Sequence, residues 1–269
     1  MAEDSPDALS DDAVAGSWRL VQRVRGHRYS LDDVATAWEA ARERPEARRV
    51  LDLGTGIGSV AIMLAYRLPQ ASLVGIEAQE VSFGLAETNV ARNGLSSRIE
   101  LVHGDLRRCD LRERAPGGFD LVTGTPPYFD PRAASPSTDA QRAYARLELR
   151  GGIEDYLRAG ARALGAGGRL VVCGDARRPE RVLDTALDAG LAPLARRDIV
   201  PRQGKGALFT IWVLGSPSAA VEPLEEREPL VARDAAGRRT EAADELRRFF
   251  GLTPGREPAS PPTRARRAS

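Results

Sequence analysis

The sequence predicts an α/β fold built on a mainly parallel, doubly wound sheet that ends in an antiparallel hairpin. Three observations predict it. From Arg49 onward, short apolar runs alternate with amphipathic segments of helical period, the pattern of strand–helix–strand units with helices on both sheet faces. The first run passes into a helix through a glycine-rich turn, Gly54-Thr55-Gly56-Ile57-Gly58. The last two runs, LARRDIV and ALFTIWVLG, are joined only by PRQGKG. That is too short for a crossover helix, so the two must pair antiparallel.

Each element can be justified in order. Residues 1–16 are acidic and read as a disordered leader. WRLVQR alternates as a short strand, Gly26 marks a turn, and Ser30 followed by Leu31-Asp32-Asp33 is a plausible helix N-cap. RRVLDLG, ASLVGIE, IELVHGD, FDLVTG and GRLVVCG are buried strands. SVAIMLAYRL, EVSFGLAETNVARN, the stretch from Gly152 to Leu164 and PERVLDTALDAG are helices. Gly94 sits where a helix wants a left-handed C′ residue. EPLVARD reads as one more edge strand and EAADELRRFFGL as a short helix. The folded domain is therefore expected over 17–250, and the Pro/Arg-rich 251–269 as a disordered tail.

Composition excludes several function classes. The chain has 269 residues and a formal net charge of +1, so no global field draws it to a polyanion; any such site must be local. Lys205 is the only lysine among 39 basic residues, which reads first as coding bias. Cys109 and Cys173 lack CxxC spacing, and His27 and His103 lie far from both in sequence, so neither a structural metal nor a disulfide framework is expected. No signal peptide or membrane-length apolar run is present, which predicts a cytoplasmic protein with no membrane partner. Oligomeric state leaves no trace in the sequence, and a monomer is assumed.

Chemistry concentrates at strand ends. Gly54, Gly56 and Gly58 let the backbone turn tightly and approach a ligand without a Cβ in the way. Ser59 stands where a dinucleotide fingerprint wants its third glycine, which disfavours NAD and fits a nucleotide cofactor without a pyrophosphate. Glu77 ends the next strand, where a carboxylate can accept both ribose hydroxyls. Asp105 ends the third and is a candidate acceptor for an adenine amino group; Asp52 is expected to orient the glycine loop that Thr55 belongs to. The fourth strand runs into Thr125-Pro126-Pro127-Tyr128. Two prolines stiffen that loop and leave the Thr125 and Pro126 carbonyls for a ligand, with Tyr128 able to stack on a flat substrate.

LDLGTGIG, Glu77, the HGD ending in Asp105 and the PPY loop resemble the amino-group methyltransferases that carry an (N/D/S)PP(Y/F) motif. Within these, the chain is most similar to the bacterial tRNA(Val) adenine-N6-methyltransferases, a likeness that extends to GHRYSLDDV, to ARLE at 145–148 and to GKGALFTIWV. The resemblance implies a Rossmann-like class I methyltransferase fold, S-adenosylmethionine (AdoMet) as cofactor, and tRNA as substrate. It also implies that Asp32 and its neighbours close over the cofactor. Thr125, Pro126, Pro127 and Tyr128 would then hold a planar amine whose delocalised lone pair must be aimed at the methyl group. The sequence departs from the family at Thr125, where Asn is usual, and in ARLE, where the family has a histidine.

Other readings stay open. A glutamine-N5 methyltransferase shares the PPY chemistry but carries a helical substrate domain upstream. A small-molecule N-methyltransferase and a non-catalytic AdoMet-binding module are also compatible. Arg19, Arg23, Arg25 and Arg28 form either a local RNA contact or a solvated strand face.

Overall fold

In the computed structural model, residues 8–127, 141, 151–219 and 223–253 are described. Tyr128 and the ARLE segment lie outside them, as do residues 1–7 and most of the expected C-terminal tail. Ten strands and six α-helices occur among the described residues. They are β1 (Leu9–Ala15), β2 (Trp18–Arg23), α1 (Leu31–Glu43), β3 (Arg49–Leu53), α2 (Ser59–Arg67), β4 (Ser72–Glu77), α3 (Glu80–Arg92) and β5 (Ile99–His103). There follow β6 (Phe119–Gly124), α4 (Ile153–Ala163), β7 (Leu164–Asp175), α5 (Pro179–Asp188), β8 (Ala192–Val200), β9 (Phe209–Gly215), β10 (Glu225–Val231) and α6 (Glu241–Phe249).

Eight strands form one sheet in the order β10-β8-β9-β7-β6-β3-β4-β5. Strands β3 to β7 are mutually parallel, and β9 runs antiparallel between β7 and β8. The expected hairpin is therefore present, with β10 added parallel to β8 at the edge. The chain reverses its direction of travel across the sheet between β3 and β6, which are paired neighbours. In open α/β sheets, such a switch point leaves a crevice at the strands' C-terminal ends.

Side-chain alternation assigns the two faces. Val50, Leu121, Val171 and Cys173 pack with α1 and α2, whereas Leu51, Leu53, Val122, Leu170 and Val172 pack with α4 and α5. This parity sends Asp52, Thr123 and Thr125 toward α1, and Gly124 toward Tyr156 of α4.

The expectation of a disordered leader through residue 16 is corrected for residues 9–16. Leu9–Ala15 pairs antiparallel with β2, Val14 and Ala15 are buried, and the Gly16 amide donates to the Phe250 carbonyl at 2.7 Å. The acids that suggested disorder are compensated. Asp11 pairs with Arg19 and Arg92, and Asp12 with Arg28. The sequence's basic cluster is thus partly spent on folding its own hairpin.

Candidate active site

The crevice at the switch point is lined by residues that follow four neighbouring strands. Gly54, Thr55 and Gly56 come from the loop after β3, Glu77 from the end of β4, Asp105 from beyond β5, and Thr125 and Pro127 from beyond β6. Register explains the gathering. Leu53 pairs with Ile76 on one side and Gly124 on the other, so the next residues along, Gly54, Glu77 and Thr125, emerge side by side.

The glycines do different work. Gly54, Gly56 and Gly58 all have positive φ, at 61°, 58° and 87°, which side chains other than glycine rarely adopt. A Cβ on Gly54 would lie 2.1 Å from the Tyr156 hydroxyl, so this glycine makes room for protein. A Cβ on Gly56 would meet nothing closer than 3.9 Å, so there glycine keeps the cleft itself clear. Gly58 caps α2 and packs toward Ala86 instead of lining the cleft.

Glu77 is braced by backbone. Its carboxylate accepts from the Gly56 amide at 3.0 Å and from the Gln79 amide at 2.6 Å. Asp52 sits beneath the loop and accepts from Thr55 Oγ1 at 2.6 Å and Thr123 Oγ1 at 2.8 Å. Burial pushes the Asp52 carboxyl up to about 6 against the lowering pull of the two hydroxyls. Thr55 thus spends its hydroxyl on the loop's support. Asp105 lines the cleft while bound by Arg107, whose Nη2 lies 2.6 Å away and holds the Asp105 carboxyl below its ordinary value.

Asp33 and Tyr156 are among the lining residues not singled out from the sequence. Asp33, one residue beyond the expected Asp32, lines the cleft and is 6% exposed. Its Oδ2 accepts the Ser30 amide at 2.9 Å, and its Oδ1 accepts from Thr125 Oγ1 at 3.3 Å. Asp32 is not among the lining residues and pairs with the Ser30 hydroxyl. The signal was available: Ser30-x-x-Asp33 is capping-box spacing, which turns the fourth residue back toward the helix start. Tyr156 had no motif to announce it. Burial, then the charges of Glu77 and Asp52, push its hydroxyl above the usual range. Neither Asp52 nor Pro126 lines the cleft directly.

The cleft therefore offers left-handed glycine backbone, a carboxylate held by amides for vicinal hydroxyls, and several acids around one cavity. That donor set fits a nucleoside bearing positive charge, which AdoMet carries at its sulfonium and amino groups. Fold and site together define a class I AdoMet-dependent methyltransferase.

Comparison with known proteins narrows the class. The family model of the methyltransferase small domain matches residues 32–187, more than half of the sequence, and the chain belongs to that family. A tRNA1(Val) (adenine(37)-N6)-methyltransferase of Actinobacillus pleuropneumoniae is 32% identical over 208 residues, 76% of this chain and 83% of that protein. A protein of that name from a second strain of the species matches over the same 83% of its length, whereas relatives of that name from other organisms match over 40% to 53% of theirs. A release factor glutamine methyltransferase of Geobacter sulfurreducens is 36% identical over 141 residues, 50% of this chain and 48% of that protein. Among solved structures, a predicted O-methyltransferase from Agrobacterium tumefaciens superposes with a TM-score of 0.61 at 22% identity, covering 85% of this chain and all of that one. This last likeness concerns the fold.

Proposed function

We propose that this protein transfers a methyl group from AdoMet to the N6 amino group of an adenine in tRNA. The observation that carries the reading is the adjacency of Thr125 and Glu77, which flank Gly54 in one cleft. The tRNA acceptor is supported by the relative matched over most of both chains. Such an enzyme works where tRNA is, in the cytoplasm; no helix among the described residues is long and apolar enough to cross a membrane.

AdoMet supplies a methyl group on a positively charged sulfur, activated for attack by a nucleophile. Glu77 would accept the ribose hydroxyls, the Gly54–Gly58 loop would let the backbone approach the cofactor, and Asp105 would accept from the adenine amine beside Arg107. Thr125 would accept one hydrogen of the target amine in the cleft, and the stiff Pro126-Pro127 turn would hold the backbone around it, so that the lone pair turns toward the methyl. Tyr128 would stack on the base once it has left the anticodon-loop stack.

The test is transfer of labelled methyl from AdoMet to unmodified tRNA, followed by nucleoside analysis, with release factor as a parallel acceptor. N6-methyladenosine in tRNA is expected. Label confined to release factor glutamine would replace this reading with the protein-methyltransferase one, which the Geobacter relative makes the natural second choice.

A further inference from the structure

The reaction leaves a proton that no step so far has removed. The acceptor nitrogen's lone pair forms the new N–C bond as the C–S electron pair returns to sulfur. The nitrogen then carries one hydrogen and one positive charge too many. Resting on the N-methyltransfer reading above, we propose that Asp33 is the positioning residue for the Thr125 hydroxyl and, through it, the acceptor of that proton.

The geometry carries the inference. Thr125 has a single side-chain oxygen, and its hydrogen is directed at Asp33 Oδ1, 3.3 Å away. Donating there leaves the lone pairs of Oγ1 to face the cleft that Thr125 lines. An amine hydrogen accepted by Oγ1 can pass to it as Thr125 yields its own hydrogen to Asp33. Nitrogen ends neutral and methylated, Thr125 is unchanged, and Asp33 is a carboxylic acid. Asp33 is anchored for this by its second oxygen, which holds the Ser30 amide at the helix start.

The surroundings suit a proton acceptor. Burial first, then the Asp32 charge, raise the Asp33 carboxyl well above its ordinary value, and Asp52 adds to this, opposed by the Ser30 and Thr125 hydrogen bonds. Among the described residues, Tyr29 before the helix and Cys173 from β7 are both pushed up in part by Asp33 itself, and His27, Glu77 and Tyr156 line the same cleft. Arg247 of α6 acts on Tyr29 in the opposite sense, lowering it. A carboxylate that favours its protonated form is a stronger base than a solvated one.

Asp33→Asn keeps the cap acceptor and the volume but cannot take a proton. Its single-turnover methyl transfer should fall about 10²-fold or more, as expected for loss of a general base. The rates are read at saturating AdoMet, so that a change in cofactor affinity does not enter them. Wild-type rate should fall as pH drops through the raised Asp33 value, and this acid limb should vanish in Asp33→Asn. In cofactor-free protein, carbon-detected NMR should find the Asp33 carboxyl titrating above the ordinary range, and Thr125→Val, which removes a donor, should raise it further. A wild-type enzyme that methylates while Asp33→Asn keeps its rate overturns this inference alone. So does a titration in the ordinary range, or one that Thr125→Val leaves in place. A wild-type protein that binds AdoMet but methylates neither tRNA nor release factor overturns the N-methyltransfer reading, and this inference with it.

Discussion

Helix α1 buries two carboxylates, and treats them in opposite ways. At its C-terminal half, Glu39 is 1% exposed and caged by cations. Arg197 Nε lies 2.7 Å away, and Arg227 binds the other oxygen while also reaching Glu43 and Glu225. Arg197 further stacks over Trp38 at 5.0 Å. At the N-terminal end, Asp33 is 6% exposed, its hydrogen-bond donors among the described residues are the Ser30 amide and the Thr125 hydroxyl, and after burial the charges raising its carboxyl are Asp32 and Asp52. Glu39 ties α1 to β8 and β10 and is a structural charge. Asp33 pays electrostatically for its position, and it faces the cleft. Buried acids without a cation are costly, so where one persists beside a cavity its reactivity is the reason to look for.

The largest expected effect comes from uncaging the structural acid. Glu39→Ala leaves Arg197 and Arg227 in a mostly buried setting without their shared partner, so the fold should lose about 3 kcal/mol or somewhat more. Urea unfolding should show this as a lower midpoint at unchanged slope. A loss below about 1 kcal/mol, the scale of exposed pairs, would mean that the two arginines are effectively solvated, and the contrast along α1 would fail.

Next in size is the pH dependence that the site acids impose. Native Asp52 holds its proton up to about pH 6, whereas an unfolded aspartate releases it near 4. Between those values the folded state binds more protons, so stability falls as pH rises from about 4 to about 6, by about 3 kcal/mol at most for this one group. Asp33 contributes with the same sign. Asp52→Asn should flatten that slope and leave a remainder that Asp33→Asn removes. A pH slope that both Asn substitutions leave unchanged would show that neither acid is held protonated by the fold.

Much of this was legible in the sequence because strand ends and backbone rules are local. The glycine spacing, the position of Glu77 and the short PRQGKG connection each constrain the chain over a few residues, and the mainly parallel sheet with its antiparallel hairpin agrees with them. What escaped depended on partners distant in sequence. The leader's acids looked like disorder because Arg19, Arg28 and Arg92, which neutralise them, come from other parts of the chain. Asp32 and Asp33 are adjacent and chemically identical, so only the helix phase, set by capping at Ser30, tells which one turns to the cleft. Tyr156 reaches the glycine loop from a helix about 100 residues later, and no motif connects them.

The smallest effect tests whether burial, and not ion pairing itself, separates the structural acids. On the opposite face of the sheet, Arg181 of α5 grips Glu154 of α4 with two bonds of 2.7 and 2.8 Å. The geometry is at least as good as that around Glu39, and it too joins two helices or strands far apart in sequence. The difference is water, since these side chains remain 21% and 30% exposed. Arg181→Ala should therefore cost about 1 kcal/mol or less, because the Glu154 carboxylate left behind can still be hydrated. The same urea series reads it. If Arg181→Ala proves as damaging as Glu39→Ala, pairing geometry sets the cost of breaking an ion pair in this fold. That no described cation pairs with Asp33 would then have to be explained without appeal to its burial.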